Sequence, residues 1–267
     1  MSGILSLLTS GEKLYRFRFA FPLLMVALSA LPTLTFAEEI DVLRAPKVII
    51  FDVNETLLDL APLRRSVSQA LPGGEELLPL WFSTMLHYSL VETLIGDYHD
   101  FGQIGTAALM MVASSKGVEL DSAVASKAIA GTITQLPAYP DVVPSLQALR
   151  AAGFRVVSLT NSSNAGVAAQ FEYAGLTTYF DRRFSVEDVR AYKPDPRPYR
   201  WVLEQLEIQP EDALMVAAHA WDLAGAKAVG LQTAFIQRPG VVAYPLTERP
   251  DYVVERLREL VALLGGE

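Results

Sequence analysis

An α/β fold, a parallel sheet with helices on both faces, is what this sequence predicts, on three observations. Four short apolar runs recur along the chain, helical patterns alternate with the later ones, and a long stretch at 61–137 holds helical patterns but no convincing strand. The first run, 47–51 (KVIIF), is short and β-branched, and Asp52 follows it at once. An apolar run without alternation reads as a strand buried on both faces. Similar runs stand at 154–159, 213–217 and 233–236. Between them, 142–152 carries apolar residues at helical spacing and stops at Gly153; 197–206 is a second such pattern, and 221–229 a third that stops at Gly230. Strands alternating with helices imply a parallel, Rossmann-like core over 45–60 and 138–262. The stretch 61–137 shows helical patterns at 77–94, 101–115 and 121–134. A helical cap inserted after the first strand accounts for it, lying over the carboxyl ends of the strands, where open α/β sheets bind ligands.

Composition removes several function classes. Of 267 residues, 51% are hydrophobic and only 16 are proline, which excludes a mostly disordered chain. The absence of cysteine excludes a disulfide framework, a thiolate metal site and a cysteine nucleophile. With His87, His99 and His219 as the only histidines, a multi-histidine metal site would need nearly all of them. Twenty-two basic residues against 30 acidic ones give a net charge of -8, which argues against nucleic acid as a partner. Residues 1–37 read as a separate piece. Lys13, Arg16 and Arg18 precede an uncharged run at 19–37 that ends in Thr35-Phe36-Ala37. These are the parts of a secretory signal peptide, cut after Ala37, which predicts a periplasmic or secreted protein with no stable membrane insertion after processing. An uncleaved anchor and an untranslated extension are the rival readings; the latter would leave the protein cytoplasmic.

Four polar clusters fall at carboxyl ends of predicted strands or just ahead of a helix: Asp52 to Thr56, Thr160 to Ser163, Lys193, and His219 to Asp222. Singly, each has a plain explanation. An aspartate there caps a helix, Asn161 and Ser162 suit a turn, and a lone lysine is solvated. Capping does not account for a lysine on the same rim, so the four together mark a site.

The order and spacing of these clusters resemble the haloacid dehalogenase superfamily over nearly all of 45–260. The resemblance rests on Phe51-Asp52-Val53-Asn54-Glu55-Thr56-Leu57-Leu58-Asp59, Leu159-Thr160-Asn161, Tyr192-Lys193-Pro194-Asp195 and Ala220-Trp221-Asp222. Within it, the 193–199 segment and the Ala220-Trp221-Asp222 segment are most similar to type II (S)-2-haloacid dehalogenases. That resemblance implies hydrolysis of short 2-haloalkanoic acids without cofactor or metal, by a protein for which a homodimer is the favoured state. Asp52 would attack the halogen-bearing carbon and form an ester that water then cleaves. Lys193 would keep Asp52 ionised, and Asp222 would orient or deprotonate the water. Thr160 matches a serine that binds substrate carboxylate, Asn161 an asparagine that takes up halide, and Thr56 and Tyr199 residues lining the nucleophile and the lysine.

Two rival functions stand beside this one. A magnesium-dependent hydrolase of small phosphoesters or phosphonates would usually carry an acid two residues after the nucleophile, where this chain has Asn54, and paired acids near Asp222. A non-catalytic binding domain is the other. It draws support from Glu92, which alignment on Trp81, Tyr88 and 98–101 puts where the dehalogenases have a halide-receiving arginine. Arg64 and Arg65, in the linker to the cap, are the candidates to replace that arginine. His219, where the dehalogenases have asparagine, is a water-activating base, a hydrogen-bond donor or a packed histidine; Ala217 stands for a serine. His87 and His99 are assigned to structure or solvent, and Met110-Met111 and Trp81-Phe82 to cap packing, with walls of the pocket as the alternative for some of them.

Overall fold

The computed structural model describes residues 44–71 and 73–266; the leader expected at 1–37 lies outside them. One parallel sheet has the order β3-β2-β1-β4-β5-β6, with β1 (Val48–Phe51), β2 (Arg155–Thr160), β3 (Arg182–Ser185), β4 (Ala213–Ala217), β5 (Gln232–Ile236) and β6 (Tyr252–Val254). Val48 in β1 stands opposite Arg155 on one side and Ala213 on the other. Every residue of β1, β4 and β5 is buried, which is why these runs are apolar without alternation. Strand order reverses between β1 and β4, so the crevice for a ligand lies beyond the carboxyl ends of these strands. The four strands expected from the sequence are all present. Both strands that the pattern missed are at edges: β3 opens with exposed Arg182 and Arg183, and β6 is three residues long with Val253 exposed. Short, partly charged edges lack the signature of a buried strand.

Between β1 and β2 the chain forms α1 (Ala61–Ala70), α2 (Gly74–Ile95), α3 (Phe101–Ser115) and α4 (Ser122–Ile133) before α5 (Val142–Ala151) returns to the sheet. Local chemistry sets these boundaries. Asp100 and Gln103 form a capping box at the start of α3, and the Asp121 side chain caps α4. Gly96, at φ 78°, ends α2 in the left-handed region. Residues 61–70, expected to be linker, are helical because Leu63 and Val67, four apart, bury one face while Arg64 and Arg65 stay exposed. Trp81 Nε1 donates to Gly105 O at 2.9 Å and pins α2 to α3. The helical layer meets the sheet through Tyr192 N, which donates to Thr93 Oγ1 at 3.0 Å, and Gln170, which donates to Ile133 O at 3.0 Å. The remaining helices are α6 (Asn164–Tyr173), α7 (Pro196–Leu206), α8 (Ala220–Ala228) and α9 (Leu257–Leu263). Among the described residues, no helix is long and apolar enough to cross a membrane.

Arg238, just past β5, ties the loop after β1 to the rest of the core. Its Nε and Nη2 donate to Thr56 O at 3.1 and 2.9 Å, and its Nη1 donates to Asp141 at 3.0 Å. Asp141 also accepts from Leu257 N at 2.9 Å, so one part-buried ion pair joins the β1 loop, α5 and α9. Replacing Arg238 with methionine leaves a carboxylate without its cation. We predict a loss of about 3–5 kcal/mol, measured by urea denaturation at neutral pH.

Candidate active site

β1 delivers Asp52 to the rim. Its N–H donates to Val216 O at 3.0 Å, extending the β1–β4 ladder by one residue. The chain then doubles back, with Leu57 N and Leu58 N both donating to Val53 O and Glu55 N to Leu58 O. This tight turn places Glu55 at φ 63°, a left-handed conformation that costs a residue other than glycine roughly 1 kcal/mol. Its side chain is anchored on both sides. One oxygen pairs with Arg64 of α1, and Oε2 lies 3.0 Å from His219 Nε2.

Lys193, in the loop before α7, is fully buried and uses all three of its donors. Nζ lies 2.9 Å from Asp52 Oδ1, 2.6 Å from Asp222 Oδ2 and 2.9 Å from Leu159 O. The other oxygen of Asp52, Oδ2, accepts from Thr56 Oγ1 at 2.7 Å and faces His219 Nδ1 at 3.1 Å. Thr56 Oγ1 in turn accepts from Ala218 N at 2.9 Å, which directs the hydroxyl proton to Asp52. Tyr199 donates to Asp222 Oδ1 at 2.6 Å. Here Gly225 is required: a Cβ on it would meet Tyr199 Oη at 2.7 Å and Pro194 O at 2.8 Å, so only glycine lets α8 seat against α7.

His219 bridges two carboxylates. Ionised carboxylates only accept, so both ring nitrogens must donate and the ring is an imidazolium. Burial opposes that charge, but Asp52 and Glu55 outweigh it and push the pKa up to about 9. For Asp52, burial alone would raise the pKa; Lys193, His219 and Thr56 together hold it well below the usual carboxylate range. Glu55 is likewise lowered, as His219 and Arg64 overcome its burial. Asp222 behaves oppositely. Burial and the charge of Asp52 raise it, against the pull of Lys193 and Tyr199. Lys193 is raised because Asp222 and Asp52 together exceed the cost of burying it.

The structure gathers Asp52, Thr56, Lys193, Tyr199, His219 and Asp222 into one hydrogen-bonded network. Asn161 joins it by accepting from Lys193 N at 3.1 Å, while its Nδ2 is buried and finds no partner among the described residues. Thr160 stands one step back, its hydroxyl accepting from Ser162 N at 3.1 Å. Asn54 is held by amide chemistry, donating to Ser162 Oγ at 3.0 Å and accepting from Gln170 at 2.9 Å. Glu92 is not at the site. From the last turn of α2 it accepts from His99 N and pairs with His99 Nδ1, both in the segment that follows the helix. Arg64 pairs with Glu55 at the edge of the network, and Arg65 is exposed on α1. The cap residue over the network is Phe82, whose ring stacks on His219 at 6.2 Å, with Trp221 stacked on it at 5.0 Å. Glu55 and Trp221 are not marked as site residues by the sequence, and Phe82 is marked there no further than as a pocket wall. A glutamate three residues from the nucleophile carries a signal only once its left-handed φ is seen, and an aromatic at helical spacing reads as core.

Beside Asn54 lies an apolar cavity of about 30 Å³ whose walls include Leu60, Leu63, Phe82, Met85 and Ile129. A buried carboxylate fixed by a lysine is equipped for covalent catalysis. The family model for haloacid dehalogenase-like hydrolases matches residues 46–230, more than half of the chain. The chain belongs to that family. Among relatives of this haloacid dehalogenase-like hydrolase, (S)-2-haloacid dehalogenase 1 of Pseudomonas sp. (strain CBS-3) is 36% identical, over 72% of this chain and 85% of the relative. The (S)-2-haloacid dehalogenase of Pseudomonas sp. (strain YL) is 33% identical, over 81% and 94%. The solved L-2-haloacid dehalogenase of Xanthobacter autotrophicus superposes with a TM-score of 0.74 at 29% identity, covering 82% of this chain and 98% of that one. A second structure of that enzyme, with chloropropionic acid covalently bound, gives 0.73 at 28% identity over the same shares.

Lys193 is the cation on which the buried acids of this hydrolase depend. Lys193→Met should cost about 3–5 kcal/mol at neutral pH, since it leaves two buried carboxylates without it. The cost should also depend on pH. In the native protein Asp52, held below its unfolded pKa, adds stability above roughly pH 4 that is lost as pH falls, and His219, raised to about 9, adds stability that is lost as pH rises through that value. Without the lysine, Asp222 keeps its burial and the repulsion of Asp52 but loses the cation that opposed them, so its carboxyl is raised further and stability falls more steeply as pH rises. Urea denaturation at about pH 5 and about pH 8 should find the substitution less costly at the lower pH.

Proposed function

We propose that this hydrolase cleaves the carbon–halogen bond of short 2-haloalkanoic acids through an ester on Asp52. The observation that carries the reading is the Lys193 bridge between Asp52 and Asp222, with Thr56 and His219 on the remaining Asp52 oxygen. It fixes an ionised carboxylate in a dry site without neutralising it by protonation, as an attacking oxygen requires. A carboxylate lone pair forms the bond to C2 as the carbon–halogen pair departs with the halide. Water then attacks the ester Cγ, and Asp222, whose pKa is raised, takes its proton. The acyl–oxygen bond breaks, the 2-hydroxy acid leaves with an Asp52 oxygen and the proton held by Asp222, and the second water proton is lost to solvent as the Asp52 carboxylate is restored. The covalently bound chloropropionic acid in the Xanthobacter autotrophicus enzyme supports this course. The buried Asn161 Nδ2, unpartnered among the described residues, is the donor we assign to the departing halide, Thr160 supports the substrate side, and Tyr199 holds Asp222, the partner of the lysine.

Two features weigh against magnesium-dependent phosphoester hydrolysis. Asn54 stands where an acid would protonate a leaving alcohol, and it is bonded to Ser162 and Gln170; a halide needs no such proton. Two cationic groups, Lys193 and His219, already stand against the carboxylate oxygens of Asp52, and Lys193 against Asp222, where their charge opposes a hard cation. We also propose export with cleavage after Ala37, on the strength of the basic, apolar and small-residue segments of 1–37.

Halide release from 2-chloropropionate and chloroacetate, with chelator present, tests the reading. Wild-type protein should release halide and Asp52→Asn should release none. A folded wild type that releases none would remove the haloacid reading.

A further inference from the structure

We propose that Glu55 is a positioning residue that keeps His219 protonated, and that Thr56 and the protonated His219 hold Asp52 Oδ2 as the oxyanion of ester hydrolysis. This rests on the aspartyl-ester reading above. The two Asp52 oxygens are not equivalent. Oδ1 accepts from Lys193 alone, whereas Oδ2 accepts from the Thr56 hydroxyl and from His219 Nδ1–H. The less encumbered Oδ1 attacks C2 and becomes the ester oxygen, which leaves Oδ2 as the ester carbonyl. When water bonds to Cγ, the carbonyl electron pair moves onto Oδ2, where two donors already point. It returns as the Cγ–Oδ1 bond breaks, and Oδ1 departs with the product beside the Lys193 ammonium, collecting the proton that water gave to Asp222. Preorganised donors at the atom that gains charge are the usual source of such stabilisation.

Esterification removes the charge of Asp52, so during hydrolysis Glu55 is the one carboxylate still bonded to His219. The other groups facing the ring are accounted for. Arg64 on α1 pairs with Glu55, Lys193 lies beyond Asp52, and among the described residues the aromatic rings stacked on it are Phe82 of α2 and Trp221 of α8. An imidazolium with both N–H groups engaged cannot take a proton from water, which decides between the base and the donor expected of His219 in favour of the donor.

The test is single-turnover reaction with 2-chloropropionate, following halide and, by intact mass, the protein-bound ester. Glu55→Gly and Glu55→Gln are compared with His219→Ala. Glycine suits the left-handed backbone at 55, so this variant removes the carboxylate without adding strain. The inference predicts that each variant releases one equivalent of halide and accumulates ester. Ester hydrolysis should slow by roughly 10²–10³-fold in His219→Ala. The alkaline limb of turnover, set by loss of the His219 proton, should move down in both Glu55 variants, towards the ordinary imidazole value of about 6.5. An unchanged hydrolysis rate and alkaline limb in both Glu55 variants would overturn the inference, as would loss of the halide burst instead of the hydrolysis step. No halide from wild type would overturn the haloacid reading itself, a separate failure.

Discussion

A single ammonium group carries the arrangement. Lys193 Nζ is buried and sits among Asp52, Asp222 and the Leu159 carbonyl, so three segments of the sheet rim converge on it. Removing a lysine from water is costly, and only carboxylates at 2.6 and 2.9 Å with a full set of hydrogen bonds offset that cost. The reverse also holds. Two aspartates this close could not both ionise in a dry site without the cation between them. The approach of α8 to α7, which needs a glycine at 225, and the Tyr199–Asp222 bond serve to keep this contact in place.

Charge in the site is balanced in a chain. Asp52, Asp222 and Glu55 face Lys193, His219 and Arg64, and each carboxylate touches at least one of these cations. Chemistry at Asp52 disturbs the chain at one point only. Forming an ester deletes one negative charge while the departing halide supplies another nearby, so the cations retain counter-charge through the first step. Arg64 reaches this network from the helical layer, which links the position of the cap to the electrostatics of the nucleophile. Phe82 and Trp221 enclose His219 and keep water from its faces.

Much of this was legible in the sequence. The central strands announced themselves because burial on both faces forces an uninterrupted apolar run, and Asp52 was conspicuous as the first polar residue after one. Lys193 and Asp222 were readable through the order of the clusters. Residue partnerships were not. Glu92 lies about three helical turns along α2 from Phe82, and alignment cannot tell which of them faces the network; it is Phe82. Helix α1 was hidden because its apolar stripe is only Leu63 and Val67, and β3 and β6 because edge strands need no apolar run. The role of Glu55 depends on a backbone conformation that a tight turn imposes, which no residue type declares.

The central claim is that Asp52, and not water, attacks the substrate carbon. One turnover in water enriched in heavy oxygen, with enzyme in excess, addresses it directly. The account predicts that the heavy atom enters the carboxylate of Asp52 while the 2-hydroxy acid emerges with ordinary oxygen. Label in the product's hydroxyl, with an unlabelled Asp52 peptide, would contradict it.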